Sequence, residues 1–248
     1  MDLAGDWLRI YRPRLRGGIR LVCFPHGGGS AAFFRPWLRD LPDEVELVAV
    51  QYPGRADRLS ERPRHELAPL AAEVAGALRR YLDRPMVLFG HSLGAAVAFE
   101  VARRLRGRVR LLAVSGRQRP AVAGVVHRQP DEVVWNELRR LGGTDAELLE
   151  NPELRAMMLP ALRGDYAMSE TYRPGTGKVD CPVLACVSDA DPEVGVPAAR
   201  AWAEATGSDF ELKVFPGGHF YLVPEQSRVI AEILRASGVR SVLWSATP

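Results

Sequence analysis

Six short runs rich in apolar and β-branched residues recur along the chain: IRLVCF (19–24), VELVAVQ (45–51), PMVLFG (85–90), VRLLAVSG (109–116), PVLACVS (182–188) and ELKVFPG (211–217). Several are almost uninterrupted in apolar residues, the pattern of strands covered on both faces of a parallel sheet. Between them lie segments with helical spacing, among them HELAPLAAEVAGALRRYL (65–82), LGAAVAFEVARRL (93–105) and VPAARAWAEAT (196–206). Strand alternating with helix is the signature of βαβ units, so the expected fold class is α/β with a mostly parallel, doubly wound sheet. No Pro/Ser-rich linker divides the 248 residues, and one domain over 1–248 is expected.

One region breaks the alternation. From about 117 to 177 no strand pattern occurs, only helical ones such as PDEVVWNELRRLGG (130–143) and NPELRAMMLPALRGDYAMSETY (151–172), with Gly142-Gly143 marking a turn. A helical insertion between two strands of such a sheet sits over the strand ends and reads as a lid; a plain packing excursion is the alternative. The Arg-Gly-Asp tripeptide at 163–165 falls inside this helical stretch, a setting that argues against a cell-adhesion role.

Composition excludes several function classes. A net charge of +3 without an aromatic-interleaved basic patch gives no reason to expect nucleic acid. No apolar run approaches the ~20 residues of a membrane span, and the first residues lack a signal-peptide pattern, so a cytoplasmic protein is expected. Cys23, Cys181 and Cys186 lie in apolar runs that read as strands, which argues against a disulfide framework. The five histidines are scattered and no metal-ligand spacing occurs, so neither metal nor cofactor is expected. The two densest basic stretches, RPRLRGGIR (12–20) and ARRLRGRVR (102–110), read as solvated surface, with docking as the alternative.

The chemistry concentrates at Gly90-His91-Ser92-Leu93-Gly94, a G-x-S-x-G placed after a strand and before a helix. A serine at so sharp a turn is held strained, and residues two positions either side must be small to clear the neighbouring strand and helix. The alternative is a structural turn; the flanking strand and helix favour a nucleophile. A serine hydroxyl needs a base to take its proton. His91 cannot easily reach its neighbour's hydroxyl, His65 and His127 sit in polar stretches, and His219 follows the last strand in VFPGGHFYLVPEQ. The base needs a carboxylate that falls between serine and histidine in chain order. CVSDADPEVG offers Asp189 and Asp191; the Pro192 that follows biases Asp191 toward an extended, outward-reaching conformation, and Asp189 suits capping the turn. Asp180 and Asp209 precede strands, at the wrong edge of the sheet. A developing oxyanion would be met by the N–H of Leu93 and by a donor from CFPHGGGSAAFFRPW (23–37). A phosphate-cradling role for that glycine loop is disfavoured because no Lys-Ser/Thr follows it.

Six segments in order resemble the stand-alone type II thioesterases that accompany polyketide synthases and nonribosomal peptide synthetases, members of the α/β-hydrolase superfamily. They are CFPHGGGSAAFFRPW, VQYPGRADRLSE, FGHSLGAAVAFEVARRL, ELRRLGGT with LPALRGDYAMSETY, SDADPEV and FPGGHFYL. The resemblance implies Ser92 as nucleophile, Asp191 as acid, His219 as base, and the N–H groups of Gly27 and Leu93 as the oxyanion hole. It implies as substrate an acyl thioester on the phosphopantetheine arm of an acyl or peptidyl carrier protein, whose aberrant or stalled acyl group the enzyme clears; a monomer is expected. Carrier proteins being acidic, the arginine stretches gain weight as docking surface, Arg103 and Arg104 in particular. Two departures stand out: Gly27 where the family commonly has Ala, and Arg-Gly-Asp where the lid commonly has Arg-Ala-Asp. The same residues would also serve an esterase for small oxygen esters, a product-releasing medium-chain acyl-carrier thioesterase, or a silent hydrolase-fold binding protein.

Overall fold

The computed structural model describes residues 6–13, 18–119, 124–143 and 146–238. Seven strands form one sheet: β1 (Leu8–Ile10), β2 (Ile19–Phe24), β3 (Val45–Val50), β4 (Met86–His91), β5 (Val109–Ser115), β6 (Val183–Ser188) and β7 (Phe210–Phe215). Their order is β1-β3-β2-β4-β5-β6-β7. β1 runs antiparallel to β3, and every other neighbouring pair is parallel. The helices are α1 (Leu67–Leu78), α2 (Leu93–Arg104), α3 (Asp131–Leu141), α4 (Ala146–Leu149), α5 (Pro152–Thr171), α6 (Val196–Arg200) and α7 (Gln226–Ala236), with a 3-10 helix over Ala31–Arg39.

The mostly parallel, doubly wound sheet is the one the alternation predicts, and the reason is visible in burial. Every residue of β2, β3, β4 and β6 is buried, which a parallel sheet covered on both faces requires. Successive side chains go to opposite faces. Val22, Phe24, Met86 and Leu88 join α1 and α2 in one core. Leu21, Cys23, Val87 and Phe89 join the 31–39 helix and α7 in the other. The first ten residues of α2 are all buried, so the helix is apolar nearly all round rather than striped.

Two features departed from expectation, and a third held in spite of a helix breaker. The antiparallel edge strand β1 was not foreseen, because three residues with only Leu8 fully buried carry no readable pattern. Part of the basic stretch 12–20 lies outside the described residues, and its last member is no surface group: Arg20 is 3% exposed and pairs with Glu46. Arg20 stands directly opposite Glu46 in the β2/β3 register, so strand pairing rather than solvation fixes it. The helical pattern 151–172 forms a single helix in spite of Pro160; Asn151 caps it, accepting from the Glu153 and Leu154 N–H groups.

The chain winds outward from β2 to β3, then crosses back to place β4 on the other side of β2. That reversal is a topological switch point, where the loops leaving adjacent strands diverge and open a crevice at the carboxyl edge. The loop 25–30 leaves β2 there and Ser92 leaves β4 there. Between β5 and β6, α3, α4 and α5 build a small core of their own from Val134, Trp135, Leu138, Leu149, Leu159 and Leu162. Among the described residues no helix is long and apolar enough to cross a membrane.

Candidate active site

Ser92 has φ 53° and ψ −119°, a left-handed backbone that a side-chain-bearing residue rarely adopts. Its glycine neighbours explain how the turn closes. A Cβ on Gly90 would lie 2.2 Å from the Gly94 carbonyl oxygen, and one on Gly94 would lie 2.1 Å from the Phe24 carbonyl oxygen. The spacing therefore exists because helix start and strand end touch backbone to backbone.

Ser92 and His219 line the same two cavities. One, of about 340 Å³, has a mixed lining that includes the polar side chains of Arg117, Gln118, Arg140, Ser169 and Glu193. The other, of about 50 Å³, is mostly apolar, with Leu93, Leu138, Leu141, Leu162 and Phe220. Residues of α3 and α5 contribute to both, so the insertion between β5 and β6 roofs the serine.

Asp191 and His219 are brought together from the loops after β6 and β7. The His219 Nδ1 lies 3.0 Å from Asp191 Oδ1 and 2.9 Å from Oδ2, with the side chains 2% and 0% exposed. Asp191 Oδ1 also accepts from the N–H groups of Glu193 (2.8 Å) and Val194 (3.3 Å), an Asx-type turn that aims the carboxylate. With Nδ1 committed, Nε2 is the ring atom on the opposite side; it is buried and has no partner among the described residues. Asp189 is elsewhere, accepting from the Gly217 N–H at 3.0 Å. Asp180 caps the Gly107 N–H at 2.8 Å, near the start of β5 at the far edge of the sheet.

His26 and His91 are buried packing groups. His91 is 0% exposed, is hydrogen bonded through Nδ1 to Ser115 Oγ (2.9 Å), and packs 4.8 Å from the His219 ring. Ser115 Oγ continues to Tyr221 Oη at 2.7 Å. His26 sits edge-on to Phe33 and Phe220 at 4.6 and 4.7 Å. Burial, then the neighbouring His219 and Arg55, push the His26 pKa down to about 3. Burial and the adjacent histidines hold His91 well below the usual range too. His127 is paired with Glu170.

Gly27 and Leu93 both line the small cavity. In the glycine loop the Gly29 N–H donates to the His26 carbonyl (3.0 Å) and the Gly28 N–H to Asp165 Oδ2 (2.7 Å). The N–H of Gly27 makes no hydrogen bond among the described residues.

The structure also brings in groups that sequence reasoning passed over. Arg117 lines the larger cavity and donates to the hydroxyl and carbonyl of Ser169 at 2.6 and 3.1 Å; burial pulls its pKa down to about 10. Arg55 and Asp165 meet beside the glycine loop. Both belong to segments quoted for the resemblance, but nothing in their spacing announces that they touch.

Arg103 and Arg104 lie away from the mouth of the site. They occupy the last turn of α2, and twelve residues at ~1.5 Å each put them ~18 Å from Ser92, toward the opposite edge of the sheet. Both are committed to the nearly buried Glu100, Arg103 at 2.9 Å.

A doubly wound sheet with a strained serine between β4 and α2 and a histidine and carboxylate in the loops after the last strands has the α/β-hydrolase arrangement. Comparison with known proteins narrows the class. The model of the thioesterase domain family matches residues 19–237, and the chain belongs to that family, which makes it a thioester hydrolase. It is 42% identical over 241 residues to a probable cadicidin biosynthesis thioesterase of Streptomyces griseus, covering 95% of this chain and 67% of that one. It is 41% identical over 239 residues to thioesterase PikA5 of Streptomyces venezuelae, covering 93% and 85%. The solved structure of the type II thioesterase BorB from the borrelidin biosynthetic cluster superposes with a TM-score of 0.86 at 41% identity, covering 94% of this chain and 98% of that one.

Proposed function

We propose that this chain hydrolyses acyl thioesters on the phosphopantetheine arm of acyl or peptidyl carrier proteins, clearing aberrant or stalled acyl groups from a polyketide or nonribosomal peptide assembly line. The observation that carries the chemistry is the buried Asp191–His219 pair, whose histidine shares both cavities with the strained Ser92. The family and the biosynthetic names of its relatives carry the substrate.

In this reading Ser92 Oγ attacks the thioester carbonyl carbon while His219 Nε2 takes its proton, and Asp191 stabilises the imidazolium. The carbonyl oxygen becomes an oxyanion held by the N–H groups of Gly27 and Leu93. Collapse breaks the C–S bond, and the departing sulfur takes the proton from His219. Water then attacks the acyl-serine, His219 accepts its proton and returns it to Ser92 Oγ, and the carboxylic acid leaves. The small, mostly apolar cavity suits a short acyl group, and the polar side chains in the mixed lining of the other suit the amides of the pantetheine arm. No metal or cofactor of the protein's own is called on, since the phosphopantetheine arrives with the substrate. The enzyme acts as a monomer in this reading. Three buried free cysteines suit a reducing cytoplasm. The roof of α3, α4 and α5 acts as a lid on one hydrolase domain.

The deciding experiment compares acyl-carrier thioesters with matched oxygen esters, using wild type and Ser92→Ala. Thioester preference with loss of activity in Ser92→Ala is expected. Full activity in Ser92→Ala, or preference for the oxygen ester, overturns the proposal.

A further inference from the structure

Two segments left without a task by this chemistry meet in the fold. Arg55 ends the Pro-Gly-Arg turn after β3, and Asp165 is the last residue of Arg-Gly-Asp, midway along α5 in the roof. Their side chains form a buried two-pronged pair, Nη1 to Oδ2 at 2.6 Å and Nη2 to Oδ1 at 2.8 Å, with exposures of 9% and 1%. The pair also grips the glycine loop. The Gly28 N–H donates to Asp165 Oδ2 at 2.7 Å, and Arg55 Nη1 donates to the Gly29 carbonyl at 3.2 Å.

We propose that Arg55 and Asp165 are positioning residues that set the 26–29 loop with the Gly27 N–H toward Ser92, tying assembly of the oxyanion site to the seating of α5. This rests on the reading of that N–H as an oxyanion donor. Three consecutive glycines have little conformational preference of their own, and Gly28 stands at φ 79°. An oxyanion donor is effective only if its orientation is set before the charge develops. Asp165 and the His26 carbonyl use up the N–H groups of Gly28 and Gly29, which leaves the Gly27 N–H for the cavity.

The pair solves an electrostatic problem as well. Asp165 lines the small cavity, and a bare carboxylate there would repel a developing oxyanion; the guanidinium cancels that charge. Burial works against the Arg55 charge, but attraction and hydrogen bonding from Asp165 outweigh it, so its pKa stands above the ordinary value. Gly164 sets the depth of the contact, since a Cβ there would lie 2.5 Å from the Arg64 carbonyl oxygen. The helix rests on backbone, and lifting it withdraws Asp165 from Gly28.

The test uses Asp165→Asn and Arg55→Lys, with Arg163→Ala as control. Arg163 is on the same helix but among the described residues bonds only to the His127 and Gln129 carbonyls and to Asp131. Active sites are counted by end-point fluorophosphonate labelling, and kcat is expressed per labelled site, which removes losses from misfolding. For Asp165→Asn we expect kcat per site to fall tenfold to a hundredfold, approaching the ~10²-fold loss of an oxyanion donor. KM should stay within about threefold and the labelling rate constant should fall in parallel. Arg55→Lys keeps the charge but loses the fork, and should lie between it and wild type. Arg163→Ala should lose thermal stability but keep kcat per site. Wild-type kcat per site in Asp165→Asn, or in Arg55→Lys should the first not fold, overturns the proposal, as does an equal loss in Arg163→Ala. An active Ser92→Ala would instead overturn the underlying mechanism.

Discussion

Replacing Asp191 with Asn alters one hydrogen-bonding atom and almost no volume, so its effect can be worked out from the contacts. Asp191 Oδ1 accepts from the backbone N–H groups of Glu193 and Val194, and only the amide oxygen of Asn can take that place. The amide NH₂ then occupies the Oδ2 position, 2.9 Å from His219 Nδ1. An NH₂ can only donate there; facing Nδ1 more closely than the amide oxygen left 3.0 Å away at the Oδ1 position, it favours the tautomer in which Nδ1 accepts and the ring proton sits on Nε2. On the proposed mechanism Nε2 is the atom that must take the Ser92 proton, and it is now blocked. A wrong tautomer in such a site costs ~10⁴ in kcat, or ~5.4 kcal/mol of barrier. The number of hydrogen bonds at the site is unchanged, so the melting temperature should move by only a few degrees. Thiol release from a short acyl-pantetheine thioester measures the rate, with Asp189→Asn alongside. Among the described residues Asp189 serves only the Gly217 N–H, and its variant should stay within a few-fold of wild type. An Asp191→Asn enzyme within tenfold of wild type, or a larger loss in Asp189→Asn, would refute the reasoning.

Gly94→Ala puts a Cβ 2.1 Å from the Phe24 carbonyl oxygen. The helix start must retreat by about 1 Å, carrying Ser92 and the Leu93 N–H, and a misplacement of that size costs ~10²-fold in rate; unchanged kcat and urea midpoint would show the contact to be slack. Acid should weaken the fold through its buried neutral histidines. Unfolded His26 and His91 take protons below about pH 6.5, whereas folded His26 resists until about 3 and folded His91 is likewise depressed. Stability is therefore complete above pH 6.5 and falls as pH drops, by up to ~1.4 kcal/mol per pH unit per histidine; a urea midpoint equal at pH 7.5 and 4.5 would contradict this. Reversing charge at Arg103 and Arg104 should leave the preference for carrier-bound over small thioesters within about twofold while lowering stability through Glu100. A selective loss on carrier-bound substrate would restore them as a docking site.

What the chain reveals by itself is what local pattern encodes. Near-continuous apolar runs between helical segments follow from a sheet covered on both faces, which makes the inner strands readable; the edge strand β7 is legible from its place in the alternation, and the three-residue β1 is not. The spacing of Gly90 and Gly94 about Ser92 is legible because a backbone contact leaves no room for other residues. The order of Ser92, Asp191 and His219 is legible because each follows a strand and must emerge at one edge. Tertiary structure alone decided what depends on approach between distant segments. It paired Arg20 with Glu46 across two strands instead of leaving it in solvent. It sent Arg103 and Arg104 to the far end of a helix, since twelve residues of α-helix carry a side chain ~18 Å from the serine. And it set Asp165 against Arg55, 110 residues away, because the partner of a buried charge is chosen by which backbones meet in the folded core, a distance that no sequence spacing records.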